Sequence, residues 1–143
     1  MAETTKKFHL RIITPLKTVF DEHVDMVIME TVDGQIGVMA GHEPVATVLG
    51  LGSAQIFNDL GTENIALFGG FVDINQNEVI ILADIADKAE DIDAERARQA
   101  RARAEDRLRD ADANIDMLRA QMALRRSLVR LELSGIPMKN ERQ

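Results

Sequence analysis

A histidine next to a carboxylate on a proline-closed corner is the first group in this chain that could do chemistry. Gly41-His42-Glu43-Pro44 follows an apolar stretch and offers the two groups that general acid–base work or metal ligation would use. No second ligand lies at metal spacing from His42, so the corner reads first as a turn that shows its imidazole to solvent or to a partner. His9 falls in a strand and His23 beside a charged turn, where structural or solvated roles suffice. Ser53, Ser127 and Ser134 are the only serines, and none sits in the Gly-x-Ser-x-Gly setting that exposes a nucleophile. Gly69-Gly70 lacks the other glycines of a dinucleotide loop, and there is no Gly-x-x-x-x-Gly-Lys-Ser/Thr phosphate loop. The absence of cysteine excludes disulfides, thiolate nucleophiles and cysteine metal sites. Nothing here equips the chain to hydrolyse a nucleotide by itself.

The arginines of the second half carry more. Arg119, Arg126 and Arg130 are seven and four apart, and Arg96 and Arg103 seven apart, spacings that place each set near one side of a helix. Such arginines usually face solvent. A docking face for an acidic partner or a phosphate is the sharper alternative, because guanidinium forks match both. Spacing alone leaves the two readings open.

The elements that must position these groups divide the chain in two. Residues 1–91 carry 5 Lys/Arg against 15 Asp/Glu, and residues 92–143 carry 12 against 9, which gives −10 and +3 and sums to the net −7. All five phenylalanines and eight of nine glycines precede residue 92. An acidic front half repels a phosphate backbone, which argues against nucleic acid as a partner. No apolar run approaches the roughly 20 residues that a membrane-spanning helix needs.

The front half reads as β. Phe8–Ile13 alternates and ends at Pro15, and 24–39 forms a hairpin about Asp33-Gly34. Short strands follow at 45–51, 54–58, 65–68, 71–74 and 79–83, with Gly69-Gly70 and Asn75-Gln76-Asn77 among the separating turns. Near residue 86 the period changes. Ala97, Ala100, Ala104, Leu108 and Ala111 recur at helical steps, then Ile115, Leu118, Met122, Val129 and Leu133. Gly135 and Pro137 end the second series in the usual order. The fold expected is α+β: an N-terminal antiparallel β-sandwich of about ten short strands over residues 1–86, then a C-terminal antiparallel two-helix hairpin over 87–143. A lone hairpin buries little, so it should dock on the sandwich or on another protein.

Three stretches resemble a known family in register. Asp33-Gly34-Gln35-Ile36-Gly37-Val38-Met39-Ala40-Gly41-His42-Glu43-Pro44 resembles the signature Glu-Gly-Glu-Leu/Ile-Gly-Val/Ile-x-Pro-Gly-His-x-Pro of the ATP synthase epsilon chain family. Gly69-Gly70-Phe71-Val72-Asp73-Ile74, followed by Val79 to Ala83, resembles its Ser-Gly-Gly-Phe signature and the strand after it. Ala89 to Ala97 resembles its domain junction. The likeness runs from about residue 8 to 134, the span of sandwich plus hairpin.

The resemblance implies a non-catalytic subunit of the central stalk of a proton-driven rotary synthase. It couples proton flow through the c-ring to ATP synthesis and inhibits hydrolysis when its hairpin rises. The implied partners are the gamma subunit, the c-ring and the alpha/beta hexamer, with Asp33, Gln35 and His42 at the gamma and c-ring contacts. No cofactor is required, but in some bacterial members a regulatory ATP binds the folded hairpin through Ile/Leu-Asp-x-x-Arg-Ala. That motif stands here as Ile92-Asp93-Ala94-Glu95-Arg96-Ala97, with Arg126 and Arg130, and with Arg103 and Arg119 in support. Asp93 would hold the base or ribose and the arginines the phosphates. Four positions depart from the family pattern: Asp87 replaces Glu, Gln35 an acidic residue, Ala40 a proline and Phe68 a serine. The implied location is peripheral, on the cytoplasmic face of a bacterial inner membrane, without membrane insertion; a polar N-terminus lacking a transit-like leader favours bacteria over organelles. A free-standing binding module that clamps with its hairpin is the competing reading. A small enzyme built on His42 is a third.

Overall fold

The computed structural model describes residues 6–110 and 116–135. Eight strands precede two helices. They are β1 (Phe8–Ile13), β2 (Thr18–Val24), β3 (Met26–Thr31), β4 (Gly34–Met39), β5 (Val45–Val48), β6 (Leu51–Asn58), β7 (Gly61–Ile74) and β8 (Glu78–Lys88), followed by a short 3-10 turn at Ala89–Asp91, α1 (Ala94–Arg109) and α2 (Met117–Ser134). The sheet order is β2-β1-β8-β7-β6-β3-β4, with β5 beside the far half of β7. Phe8, Leu10 and Ile12 of β1 share one buried cluster with Val27 and Met29 of β3. Strands four places apart in the order can meet in this way only because the sheet folds over on itself into a sandwich.

Eight strands stand where about ten were expected, and two of the expected ones merge at Gly69-Gly70. Read as a turn, this pair instead sits inside the 14-residue strand β7. The register with β8 is unbroken across it: Phe68 faces Ile85 and Gly70 faces Ala83. What changes is side-chain direction. Ile65 and Leu67 point into the core before the pair, and Val72 and Ile74 after it. The step from 67 to 72 is odd, so alternation inverts there. Both glycines have positive φ, 82° and 118°, a region that residues with a Cβ rarely occupy. A Cβ on Gly70 would lie 2.0 Å from the Leu82 carbonyl oxygen.

Two further departures concern pairing. β1 lies parallel to β8, with Leu10 opposite Val79, in a sandwich expected to be antiparallel throughout. A parallel neighbour needs a long crossover, and here the intervening strands supply it. β2 is an edge strand not anticipated from the sequence. Of its seven residues only Phe20 and Val24 are buried, and Asp21-Glu22-His23 gives it the charged edge that discourages pairing with other chains. At the start of β1, Lys7 Nζ reaches Asp25 at 3.0 Å and Asp59 at 3.6 Å. The hydrogen bond to Asp25 holds the lysine pKa above its ordinary value, against partial desolvation.

The helices form the expected hairpin, with Ala97, Ala104, Ala120, Ser127, Val129 and Leu133 buried. Asp116 caps α2 by accepting from the Arg119 amide at 3.1 Å. Gly135 follows α2 with φ −90°, so it ends the helix without the left-handed turn usual for glycine there. Ala111, Ile115 and Pro137, part of the expected helical pattern, lie outside the described residues. β8 runs through Lys88, two residues past the division placed at 86.

Gly70→Ala should destabilise the sandwich by ~3 kcal/mol or more, since it combines a forbidden φ with a backbone clash. A thermal midpoint within a degree or two of wild type would contradict the inversion. Gly135→Ala, at an ordinary φ where a Cβ would meet only the Glu132 carbonyl oxygen at 3.7 Å, should change it little.

Candidate functional site

The junction between sandwich and hairpin is where the arginines and the motif residues meet. α2 lies on the outer face of β6 and β7. Ala66 and Phe68, which the inversion at Gly69-Gly70 turns away from the core, pack with Val129 and Leu133, flanked by Leu51, Ala89 and Ile92. Phe68 is only 3% exposed, whereas Phe71, past the inversion, is 63% exposed. The hairpin is therefore folded down on the sandwich.

Beside this contact opens a cleft of about 390 Å³, lined by Asp87, Asp91, Ile92, Asp93, Arg96, Ala97, Ala100, Arg103 and Arg130. It gathers most of the positions to which the resemblance assigned nucleotide binding, brought together from β8, the 3-10 turn, α1 and α2. Its size falls within the range of small-molecule sites, roughly 300–1,000 Å³. Three guanidinium-bearing residues and three carboxylates face it, so any anion entering must favour the arginine side.

Each side chain has a local reason for its place. Asp93 is the N-cap of α1: its Oδ1 accepts from the amides of Glu95 at 3.0 Å and Arg96 at 3.2 Å, satisfying donors that a helix start leaves open. Only its second oxygen remains for a ligand. Arg130 Nε donates to Asp87 Oδ2 at 2.9 Å, and its guanidinium carbon stands 4.8 Å from the centroid of the Phe68 ring. Arg119 and Arg126 do not line the cleft. Arg119 is exposed on the first turn of α2, and Arg126 is half-buried one turn before Arg130. Phe68 was read only as the end of a strand; its aromatic type, where the resemblance led to a serine, was the one signal for its role.

A larger cleft of about 590 Å³ adjoins this one under the Thr14–Lys17 turn. Asp84, Asp87, Glu90 and Asp91 face it against Lys17 and Lys88 alone, a poor setting for an anion. Volume is the weaker guide here, and the arginine-lined cleft is the better candidate.

The other assigned residues sit at the two ends of β4. Asp33 and Gln35 flank its start, where Gln35 Nε2 donates to Glu30 Oε2 at 3.1 Å and the Asp33 amide to Thr31 Oγ1 at 3.1 Å. His42 lies past its other end, where Gly41 N donates to Gln76 O at 2.8 Å. At about 3.3 Å per residue the two ends are roughly 20 Å apart, so they would serve different contacts. His42 Nδ1 meets the backbone oxygen of Glu43 at 2.7 Å; since a carbonyl only accepts, Nδ1 donates. The corner forms no imidazole–carboxylate pair, which removes its motive for catalysis. Among the described residues no group of three His, Asp or Glu could hold a metal ion. No helix among them is long and apolar enough to cross a membrane.

A β-sandwich carrying a docked helical hairpin, with an arginine-lined cleft at the seam, is the architecture of a two-domain coupling module. Residues 7–89 match the family model described as ATP synthase, Delta/Epsilon chain, beta-sandwich domain, and residues 90–135 match the one described as its long alpha-helix domain. The chain belongs to the ATP synthase delta/epsilon chain family. It is similar to the ATP synthase epsilon chain of Symbiobacterium thermophilum, 45% identical over 127 residues that cover 88% of this chain and 91% of that one. The epsilon chain of Nitratidesulfovibrio vulgaris is 41% identical over 130 residues, 91% of this chain and 97% of the other. In fold it resembles a chain of the Euglena gracilis mitochondrial ATP synthase OSCP/F1/c-ring structure, with a TM-score of 0.77 at 24% identity, covering 90% of this chain and 81% of that one. A chain of the Tetrahymena thermophila mitochondrial central stalk and c-ring matches at a TM-score of 0.52 and 14% identity, covering 63% and 72%.

Asp93→Ala should cost about 1 kcal/mol of helix stability, the usual worth of an N-cap. Hydrogen exchange should show faster exchange confined to the Glu95 and Arg96 amides and the turn they begin. Uniform acceleration across the sandwich would mean that Asp93 has a wider structural role.

Proposed function

We infer that this chain is the epsilon subunit of a rotary, proton-driven ATP synthase, a non-catalytic part of its central stalk. The observation that carries the reading is the ordered match of both pieces, sandwich then hairpin, to one family over residues 7–135. Relatives covered over more than nine-tenths of their own length bear the epsilon name. The partners are then the gamma subunit, the c-ring and the alpha/beta hexamer, and the chain works peripherally at the cytoplasmic face of a bacterial inner membrane. The free-standing clamp has less to recommend it, since Val129 and Leu133 of the hairpin's apolar stripe already pack on the sandwich. A tagged copy isolated from membranes should bring down one fixed partner set at one copy per assembly. A varied collection of clients would sink the reading.

Within the assembly, His42 meets gamma and Asp33 and Gln35 meet the c-ring loops, as their separation along β4 allows. His42→Glu should weaken gamma binding at least tenfold in a titration, with the isolated fold unchanged. The half-buried imidazole donates its hydrogen bond to a backbone oxygen within its own turn, so replacing it disturbs little else.

The cleft at the seam is a regulatory nucleotide site, and ATP favours the folded hairpin. Supporting this is the convergence of Arg96, Arg103, Arg130 and Asp93 on one cavity. A ligand moves such an equilibrium only by its differential affinity, so a coupling of ~1–3 kcal/mol is the expectation. Calorimetry on the isolated chain at millimolar ATP should register binding. Arg103→Ala should weaken it roughly tenfold through a lost charge-assisted contact, and Arg119→Ala, outside the cleft, should not. Equal effects of the two would point to general electrostatics. No heat in the wild type would end the nucleotide reading and leave the coupling role intact.

A further inference from the structure

One guanidinium holds the two domains together through two different sandwich groups. Arg130, from α2, donates from Nε to Asp87 Oδ2 at 2.9 Å across a sequence separation of 43 residues. Its guanidinium carbon stands over the Phe68 ring, 4.8 Å from the centroid. Asp87 belongs to β8 and Phe68 to β7; the strand register sets Phe68 opposite Ile85 and Ala66 opposite Asp87, so both groups come from neighbouring positions of the same two-strand ladder. Among the described residues this is the only ion pair between hairpin and sandwich.

We propose that Asp87 and Phe68 form a built-in clasp on Arg130 that keeps the hairpin folded down without any ligand. The clasp rests on the reading of the hairpin as a part that can rise. Its chemistry suits the task. The ion pair is partly exposed, 28% and 34% at the two side chains, and alone it would be weak. A cation–π contact with a nearly buried ring holds the guanidinium near the carboxylate, and the pair then costs less side-chain freedom to form. The apolar patch beneath is small, with Ala66, Phe68, Val129 and Leu133 buried, so a modest added contact weighs heavily in the balance between docked and raised. The clasp also lines the cleft. Asp87 then competes with an incoming phosphate for Arg130, and the docked state depends less on nucleotide than the cleft alone would suggest.

The chain has no cysteine, so two introduced ones can carry spin labels without interference. Asp59→Cys on the sandwich and Gln121→Cys on α2 are exposed sites away from the seam. In the labelled full chain without nucleotide, the distance distribution should be dominated by one docked population. Asp87→Asn and Arg130→Gln should each raise the undocked-to-docked ratio by about 3–10-fold, the range expected for a partly screened pair plus a stacked cation. The double variant should do no more than Arg130→Gln alone, because that substitution already removes the ion pair along with the ring contact. Phe68→Leu, which keeps apolar volume, should shift the ratio in the same direction, and Arg130→Lys should fail to restore it, having no planar fork. Raising salt should undock the wild type but leave Asp87→Asn unchanged. Unchanged distributions in Asp87→Asn and Arg130→Gln, or additive effects in the double variant, would overturn the clasp. If distances shift as stated while ATP hydrolysis by the assembled complex does not respond, the clasp stands and the regulatory reading falls.

Discussion

The inversion of side-chain direction at Gly69-Gly70 is the constraint on which the rest of the structure depends. A strand in a sandwich normally buries one face. β7 must bury one face along its second half and both along its first, because there the hairpin covers what would otherwise face solvent. Keeping one alternation throughout would put Phe71 on the core face with Ile65 and Leu67 and turn Val72 and Ile74 outward with Ala66 and Phe68, so the core would lose either Ile65 and Leu67 or Val72 and Ile74. Two consecutive residues of positive φ switch the face without breaking the ladder to β8. The change is carried across the sheet. The register places Gly69 opposite Asp84 of β8, and on the other side it falls opposite Gly50, between β5 and β6. Leu49 points to the core before that position and Ala54 and Ile56 after it, another odd step. Three neighbouring strands therefore turn over along one line, and the hairpin's seat lies entirely on one side of that line.

The hairpin itself is held by two unlike contacts. Between its helices lies a seam of small residues, Ala97, Ala104, Ala120 and Ser127, which lets the backbones approach closely and gives the pair cohesion of its own. Toward the sandwich it offers Val129 and Leu133, a narrower contact edged by the Arg130 pair. Cohesion within the hairpin and economy beneath it are the conditions for a unit that moves as a body.

Much of the fold was legible in the sequence because local chemistry and tertiary outcome agree there. Asp33-Gly34 marks a hairpin turn, and Gly34 adopts φ 119°; the alanine and leucine series mark the helices because their period is a property of the chain alone. The errors have physical causes. Gly-Gly supplies the same backbone freedom to a turn and to an inversion within a strand, and only the partner strands decide between them. β2 was missed because an edge strand that protects itself with Asp21-Glu22-His23 erases the alternation by which strands are recognised. The cleft was only partly legible. The Ile92–Ala97 motif is contiguous, and its Asp93 is fixed by capping whether or not a ligand exists. Arg126 and Arg130 cannot be told apart by spacing, since a four-residue step turns a helix by only about 40°. The docking of α2 brings one of them to Asp87 and leaves the other outside.

That distinction bears on how a weak contact can govern a large motion. Separating hairpin from sandwich returns an ion pair to water at little cost, but it also takes Val129 and Leu133 off the Phe68 ring and Ala66. The apolar term sets the direction of the equilibrium, and the Arg130 contacts set its position. A seat made larger would fix the hairpin permanently; one without the charged edge would leave its orientation undefined. The observed arrangement has a small apolar floor and a single directional contact at the mouth of an arginine-lined cleft. It places the docked state within reach of the ~1–3 kcal/mol that a bound anion or an acidic partner can supply, and ties both influences to the same guanidinium.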